Sequence, residues 1–141
     1  DPGSQLVKLC HRHNIEVVPC SGPSSLMLAL MGSGLNGQSF AFLGYIPAKT
    51  DERRQALKSI EKHSASAHQT KIMIETPYRN DSLFADILNV CQGSTELCVA
   101  ADITMPDAYI MTKTVAEWKR YVAGKENIIG KRPCVFLILA H

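Results

Sequence analysis

Glu75, Thr76, Tyr78 and Arg79 stand where an apolar run, Thr70 to Ile74, stops at a carboxylate and turns through Thr-Pro toward a new helix. The chemistry such a place offers is ligand binding, because the carboxyl ends of strands and the helix N-termini after them form the crevice where anionic or nucleotide-like ligands settle in open sheets. Glu75 can accept hydrogen bonds from a ligand hydroxyl or amine, or pair with Arg79 across the turn. Arg79 can hold a phosphate or carboxylate bidentately; as an exposed ion pair it is worth only about 0 to 1 kcal/mol. Ser21, Ser24 and Ser25 bring hydroxyls to a second turn that ends at a helix start, where capping accounts for at least one of them. The segment from Asp102 to Asp107 follows another strand-like run and either lines the same crevice or organises a turn before Pro106. Lys49, Arg53, Arg54 and Lys58 cluster around one helix start, where a solvated face is commoner than a polyanion contact.

Other chemistries lack their residues. His11, His13, His63, His68 and His141 show no ligand spacing with cysteines or carboxylates, so no metal site is expected. The cysteines, Cys10, Cys20, Cys91, Cys98 and Cys134, are odd in number and contain no Cys-x-x-Cys, which argues against a disulfide framework and for a reducing cytoplasm. Gly-x-Ser-x-Gly, Gly-x-x-x-x-Gly-Lys and Gly-x-Gly-x-x-Gly are all absent, which removes the main support for hydrolase, P-loop and ordinary Rossmann readings. A formal charge of +2 over 141 residues is too weak to select a nucleic-acid partner. No apolar run approaches the roughly 18 to 20 residues that span a bilayer.

The elements that must position these residues follow from periodicity. A helix from Gly3 to His13 stops at Asn14, and Ile15–Pro19 reads as a short β-branched strand. Ser24 or Ser25 caps an apolar helix over Leu26–Met31, and the glycine-rich run from Gly32 to Gly37 reads as an interdomain joint. Strands are predicted at Phe40–Leu43, Thr70–Glu75, Glu96–Ala101, Tyr109–Thr112 and Cys134–Ala140, the last a continuous apolar run suited to burial on both faces. Between them lie helices over Asp51–His63, capped by Thr50, and Asp81–Cys91, and one opened by the Thr114–Glu117 capping box. Alternating strands and helices predict a layered α/β fold. A turn running at once into an amphipathic helix at the start calls for an upstream strand to pack on, so the chain reads as part of a longer protein.

Taken in series, Asp1-Pro2-Gly3, the run from Val17 to Ser25, Gly34-Leu35, Phe42 to Pro47, Arg53 to Leu57 and Ile74 to Arg79 resemble the tetrapyrrole (corrin/porphyrin) methylase family. Within it they are most similar to the ribosomal RNA small-subunit methyltransferase I branch, with departures at Ala101–Thr104 and at Tyr78. The resemblance covers the chain and about the last three fifths of a family member. It implies two α/β domains with S-adenosylmethionine in the cleft between them: residues 1–33 as the tail of the first, and 34–141 as a second domain with a five-stranded mixed sheet flanked by helices. It also implies a methyltransferase acting on a ribose 2′-hydroxyl of small-subunit rRNA; methylation of porphyrin or corrin carbon, or an inactive ligand-binding module, are the alternatives. Carried over by position, Ser24, Ile74, Glu75, Thr112, Lys113, Thr114 and Pro133 are expected at the cofactor. Glu75 is the expected catalytic group, and Arg53, Arg54, Tyr78 and Arg79 the substrate contacts. A cytoplasmic homodimer is the expected assembly.

Overall fold

A computed structural model describes residues 2–141; the expectation for Asp1 lies outside the described residues. The elements are α1 (Ser4–Arg12), α2 (Ser25–Ser33), β1 (Phe40–Tyr45), α3 (Thr50–Ala67), β2 (Thr70–Ile74), a single 3-10 turn (Pro77–Arg79), α4 (Asn80–Val90), β3 (Glu96–Ala101), β4 (Tyr109–Thr114), α5 (Val115–Val122) and β5 (Cys134–Leu139). One sheet of five strands in the order β1-β2-β5-β3-β4 organises them. Only β1 and β2 are parallel, joined by the crossover helix α3; β5 lies antiparallel between β2 and β3, and β4 pairs antiparallel with β3. The C-terminal ends of β1, β2 and β3 therefore share one end of the sheet with the starts of β4 and β5.

Alternation sorts the side chains. Leu97, Val99 and Ala101 of β3 and Cys134, Phe136 and Ile138 of β5 face Leu57, Leu83, Phe84, Ile87 and Trp118 of α3, α4 and α5. Cys98, Ala100, Val135 and Leu137 face the opposite way, onto Ala29 and Leu30 of α2. The apolar run over β5 is buried along its whole length because helices cover both sides, as its unbroken hydrophobicity predicts. Trp118 is fully buried, donating its Nε1–H to Leu97 O at 2.8 Å and meeting Phe84 edge-on at 5.4 Å.

Several local expectations hold. Ser24 caps α2, accepting from Met27 N at 3.5 Å, and both hydrogen bonds of the Thr114–Glu117 capping box are made. Asn14 turns left-handed at φ 52° where α1 stops. Three points need correction. Ile15–Pro19 is not a strand: Ile15 and Val18 are 56% and 70% exposed, and no strand among the described residues runs beside them to take their hydrogen bonds. Thr50 is the first helical residue, not the cap; Lys49 occupies that position without a side-chain cap bond. Helix α3 continues past His63 to Ala67, because Ser64 is buried there, donating to Gln69 O and accepting from Ala140 N. Helix α2 precedes the joint expected at Gly34 yet packs on this sheet, so it belongs to the same packed unit. Helix α1 buries no residue.

Candidate functional site

Where the strand ends converge, a cleft of about 310 Å³ opens on the α2 side of the sheet. Ile74, Ala100 and Val135, side by side on β2, β3 and β5, form its apolar floor, and Ser25, Pro77, Ile103, Met105 and Pro133 contribute walls. Glu75 and Asp102 are its two carboxylates. A hollow of about 370 Å³ at the opposite end of β5 is lined by Lys58, Glu61, Lys62 and His141, but Glu61 is already committed there, accepting from Gln92 N and Thr95 Oγ1. The cleft at the strand ends is the better ligand site, because its apolar walls combine with few polar groups.

Glu75 is held from below. Its side chain is 2% exposed and turned toward α3, where Arg53 Nη2 donates to Oε2 at 2.6 Å. Oε1 accepts from Thr76 N at 2.7 Å and lies 3.2 Å from Arg79 Nε, near enough for charge attraction though not aligned as a hydrogen bond. Arg53, only 1% exposed, also donates to Pro47 O, Ser82 Oγ and Asp86 Oδ2, and Asp86 pairs in turn with the half-exposed Arg54. The Pro47 carbonyl reaches Arg53 after β1 bulges between Phe42 and Gly44, a turn that Gly44 makes at φ 68°. This network fixes the end of β2. It also corrects two expectations. Arg53 cannot contact substrate, since its guanidinium is buried among protein acceptors; Glu75 has both oxygens engaged, so it is an anchor of the turn, not a free proton acceptor.

The far wall is pinned by α4. Asn80 Nδ2 donates to Arg132 O at 2.6 Å and Gly130 O at 3.2 Å, while Asp81 accepts from Ile129 N at 2.9 Å and Gly130 N at 3.0 Å. Pro133 is thereby set beside β3, with Pro133 O accepting from Asp102 N at 3.0 Å. Asp102 and Thr104 both have left-handed backbones, at φ 50° and 72°.

Of the residues expected at a cofactor, the structure brings Ile74, Glu75 and Pro133 together, with Ser25 in place of its neighbour Ser24, whose hydroxyl caps α2. It does not bring Thr112, Lys113 and Thr114. β4 runs away from the cleft, and Thr112 pairs with Cys98, three residues along from the Ala101–Tyr109 pair and so roughly 10 Å down the strand. Thr112 donates to Ser33 O, Lys113 lies 4.9 Å over the Tyr121 ring, and Thr114 caps α5. Tyr78 is 67% exposed beside the cleft, with Arg79 stacked on its ring at 4.8 Å; Arg54 is also accessible. Asn80 and Asp81 were not singled out from the sequence. The Pro77-Tyr-Arg-Asn-Asp81 helix start was their only local signal. Among the described residues no group of His, Cys, Asp and Glu could hold a metal, and no helix is long and apolar enough to cross a membrane.

The chain is 35% identical over 127 residues to the ribosomal RNA small subunit methyltransferase I of Vibrio cholerae, an alignment covering 90% of this chain and 43% of that protein. The protein of the same name from Escherichia coli O157:H7 aligns at 35% identity over 127 residues, with the same coverage. The chain thus spans a little under half the length of the curated relatives it matches. Among solved structures it is similar to a cobalamin biosynthetic enzyme, cobalt precorrin-4 methyltransferase, at 15% identity and a TM-score of 0.57, covering 97% of this chain and 57% of that one. That likeness shows a shared fold. No family model matches the chain.

Proposed function

We propose that the chain is part of a tetrapyrrole methylase of the kind its relatives named ribosomal RNA small subunit methyltransferase I represent, and that the whole protein methylates a ribose 2′-hydroxyl of small-subunit rRNA using S-adenosylmethionine. The observation that carries the reading is the cleft at the strand ends. Its volume, about 310 Å³, sits at the low end of the roughly 300 to 1,000 Å³ typical of ligand sites and suits a nucleoside-sized group. Bound there, the donor supplies an electrophilic methyl group on a sulfonium.

The residues of this chain act by positioning. Ile74, Ala100, Val135 and Pro133 exclude water from one side of the donor, and the Arg53–Glu75 network keeps the β2 end at fixed distance from Pro133. Holding donor and acceptor at about 3 to 3.5 Å is the main requirement of an in-line displacement. Tyr78 and Arg79, which follow the lining residue Pro77, offer stacking and cationic groups suited to an RNA backbone and its bases, and the half-exposed Arg54 on α3 adds a further cation on the other side of the sheet. We place the unit that carries this half of the cleft from α2 to His141, with residues before α2 leading from a first α/β domain that supplies the other half. Exposed Phe40, Phe42 and Tyr45 on the edge strand β1 support a homodimer, and the substrate implies a cytoplasmic location.

The test is methyl transfer by the full-length protein from tritiated donor to small ribosomal subunits and, separately, to uroporphyrinogen. Label is expected in rRNA, in dinucleotides that survive alkaline hydrolysis because a 2′-O-methyl group blocks attack on the adjoining phosphodiester. Label in the tetrapyrrole alone would establish carbon methylation instead, and transfer to neither would end the methyltransferase reading.

A further inference from the structure

The cleft contains a carboxylate that the protein does not use. Glu75 is saturated, but Asp102, whose side chain is 19% exposed, receives no hydrogen bond among the described residues. Its nearest cation is Arg132 Nη1 at 3.7 Å from Oδ2, beyond hydrogen-bond distance, and Arg132 is itself fixed by donating Nε–H to Ile129 O at 2.8 Å. The Asp102 carboxylate oxygens are part-shielded and carry no protein donor, so they stay open to donors from a ligand in the cleft.

The backbone holds Asp102 there. Its φ of 50° lies in the left-handed region, which costs of the order of a kcal/mol or more for a residue with a Cβ. The conformation is fixed from both sides: Asp102 N donates to Pro133 O at 3.0 Å, and Asp102 O accepts from Met105 N at 2.9 Å. Turn formation alone would be served better by glycine, which adopts this φ freely.

We propose that Asp102 is the specificity-determining acceptor of the cleft, taking hydrogen bonds from the vicinal hydroxyls of the ribose in an adenosyl ligand. The charges on the page choose this group. Arg132 beside the carboxylate disfavours a ligand cation, so the ammonium and sulfonium ends of the donor belong elsewhere. What remains is a neutral pair of O–H donors, and the two adjacent oxygens of a carboxylate match the two adjacent hydroxyls of a ribose. Asp102 is then a binding residue, with Arg132 beside it at 3.7 Å holding the carboxylate in place. The proposal rests on reading the cleft as the donor site.

Calorimetry on the full-length protein, with S-adenosylhomocysteine and its 2′-deoxy and 3′-deoxy analogues as probes, separates the two levels. Wild type is expected to bind S-adenosylhomocysteine and to bind each deoxy analogue roughly 10- to 100-fold more weakly, the range for hydrogen bonds to a charged group. In Asp102→Gly, which suits the left-handed backbone and so keeps the fold, that preference is expected to collapse while affinity for the deoxy analogues stays as in wild type. Asp102→Asn, nearly isosteric, should show an intermediate preference. Retention of the full preference in both variants, or equal binding of all three probes by wild type, would overturn the assignment of Asp102 alone. No heat from any probe with wild type would overturn the donor-site reading, and this proposal with it.

Discussion

Arg53 and Arg54 are adjacent in sequence and opposite in fate. Successive residues on a helix point about 100° apart, so α3 aims Arg53 at the core and Arg54 at solvent. With four protein acceptors around one buried guanidinium, Arg53 pairs with both Glu75 and Asp86 while using four of its five N–H donors. Removing one member of such a network strands the rest. Arg53→Ala is therefore expected to lower unfolding free energy by about 3 to 5 kcal/mol, whereas Arg54→Ala, an exposed partner of the same Asp86, should lose under about 1 kcal/mol. Urea titrations of the two variants would check this, and equal small losses would show that the buried network is dispensable. A sequence reading that treats arginines by type puts both at the surface. Only the third dimension distinguishes them, because nothing in the local run Asp51–Leu57 says which side of α3 meets the end of β2.

Among the elements, α4 and β5 show how the cleft is assembled across a long sequence gap. The side chains of the first turn of α4 reach outward to clamp the loop before β5, with Asp81 accepting from two successive amides, Ile129 N and Gly130 N. Asp81→Ala is expected to release that loop: faster hydrogen exchange at Ile129 and Gly130, a stability loss of roughly 1 to 3 kcal/mol, and weaker S-adenosylhomocysteine binding because Pro133 loses its support. Unchanged exchange at those two amides would refute the clamp. The five strands themselves were legible from alternation and apolar runs, since their side-chain period follows from local geometry. Ile15–Pro19 shows the limit of that signal. β-branched residues favour extended backbone, but a strand also needs a neighbour, and none of the described residues provides one.

The response of the whole molecule to alkali follows from what the core buries. Burial pushes the thiols of Cys91 and Cys98 up and that of Cys134 up to about 12, and it raises Tyr109 as well. A thiol that ionises near its ordinary 9.0 when unfolded but stays protonated when folded stabilises the protein fully below that pH, and the contribution is lost as pH climbs from about 9 toward 12. Lys71, lowered from its ordinary 10.5 by burial against His63, acts in the opposite sense, favouring the folded state more as pH rises. Three thiols outweigh one amine, so stability should fall as pH rises from about 9 toward 12, with a shallower fall in Cys134→Ala; urea midpoints across that range measure it, and a flat or rising profile would contradict it. By itself the sequence determined the α/β class, the strands, the capping of α2 and α5, and the likeness to its relatives, because these rest on local periodicity and on runs of residues kept in order along the chain. Tertiary structure alone decided that Glu75 is locked by Arg53, that Thr112–Thr114 lie along β4 away from the cleft, and that Asp102 is the cleft carboxylate without a protein hydrogen bond. Those outcomes depend on strand order and direction, which join residues 20 to 50 positions apart, and pairing across such gaps leaves no periodic mark on either partner.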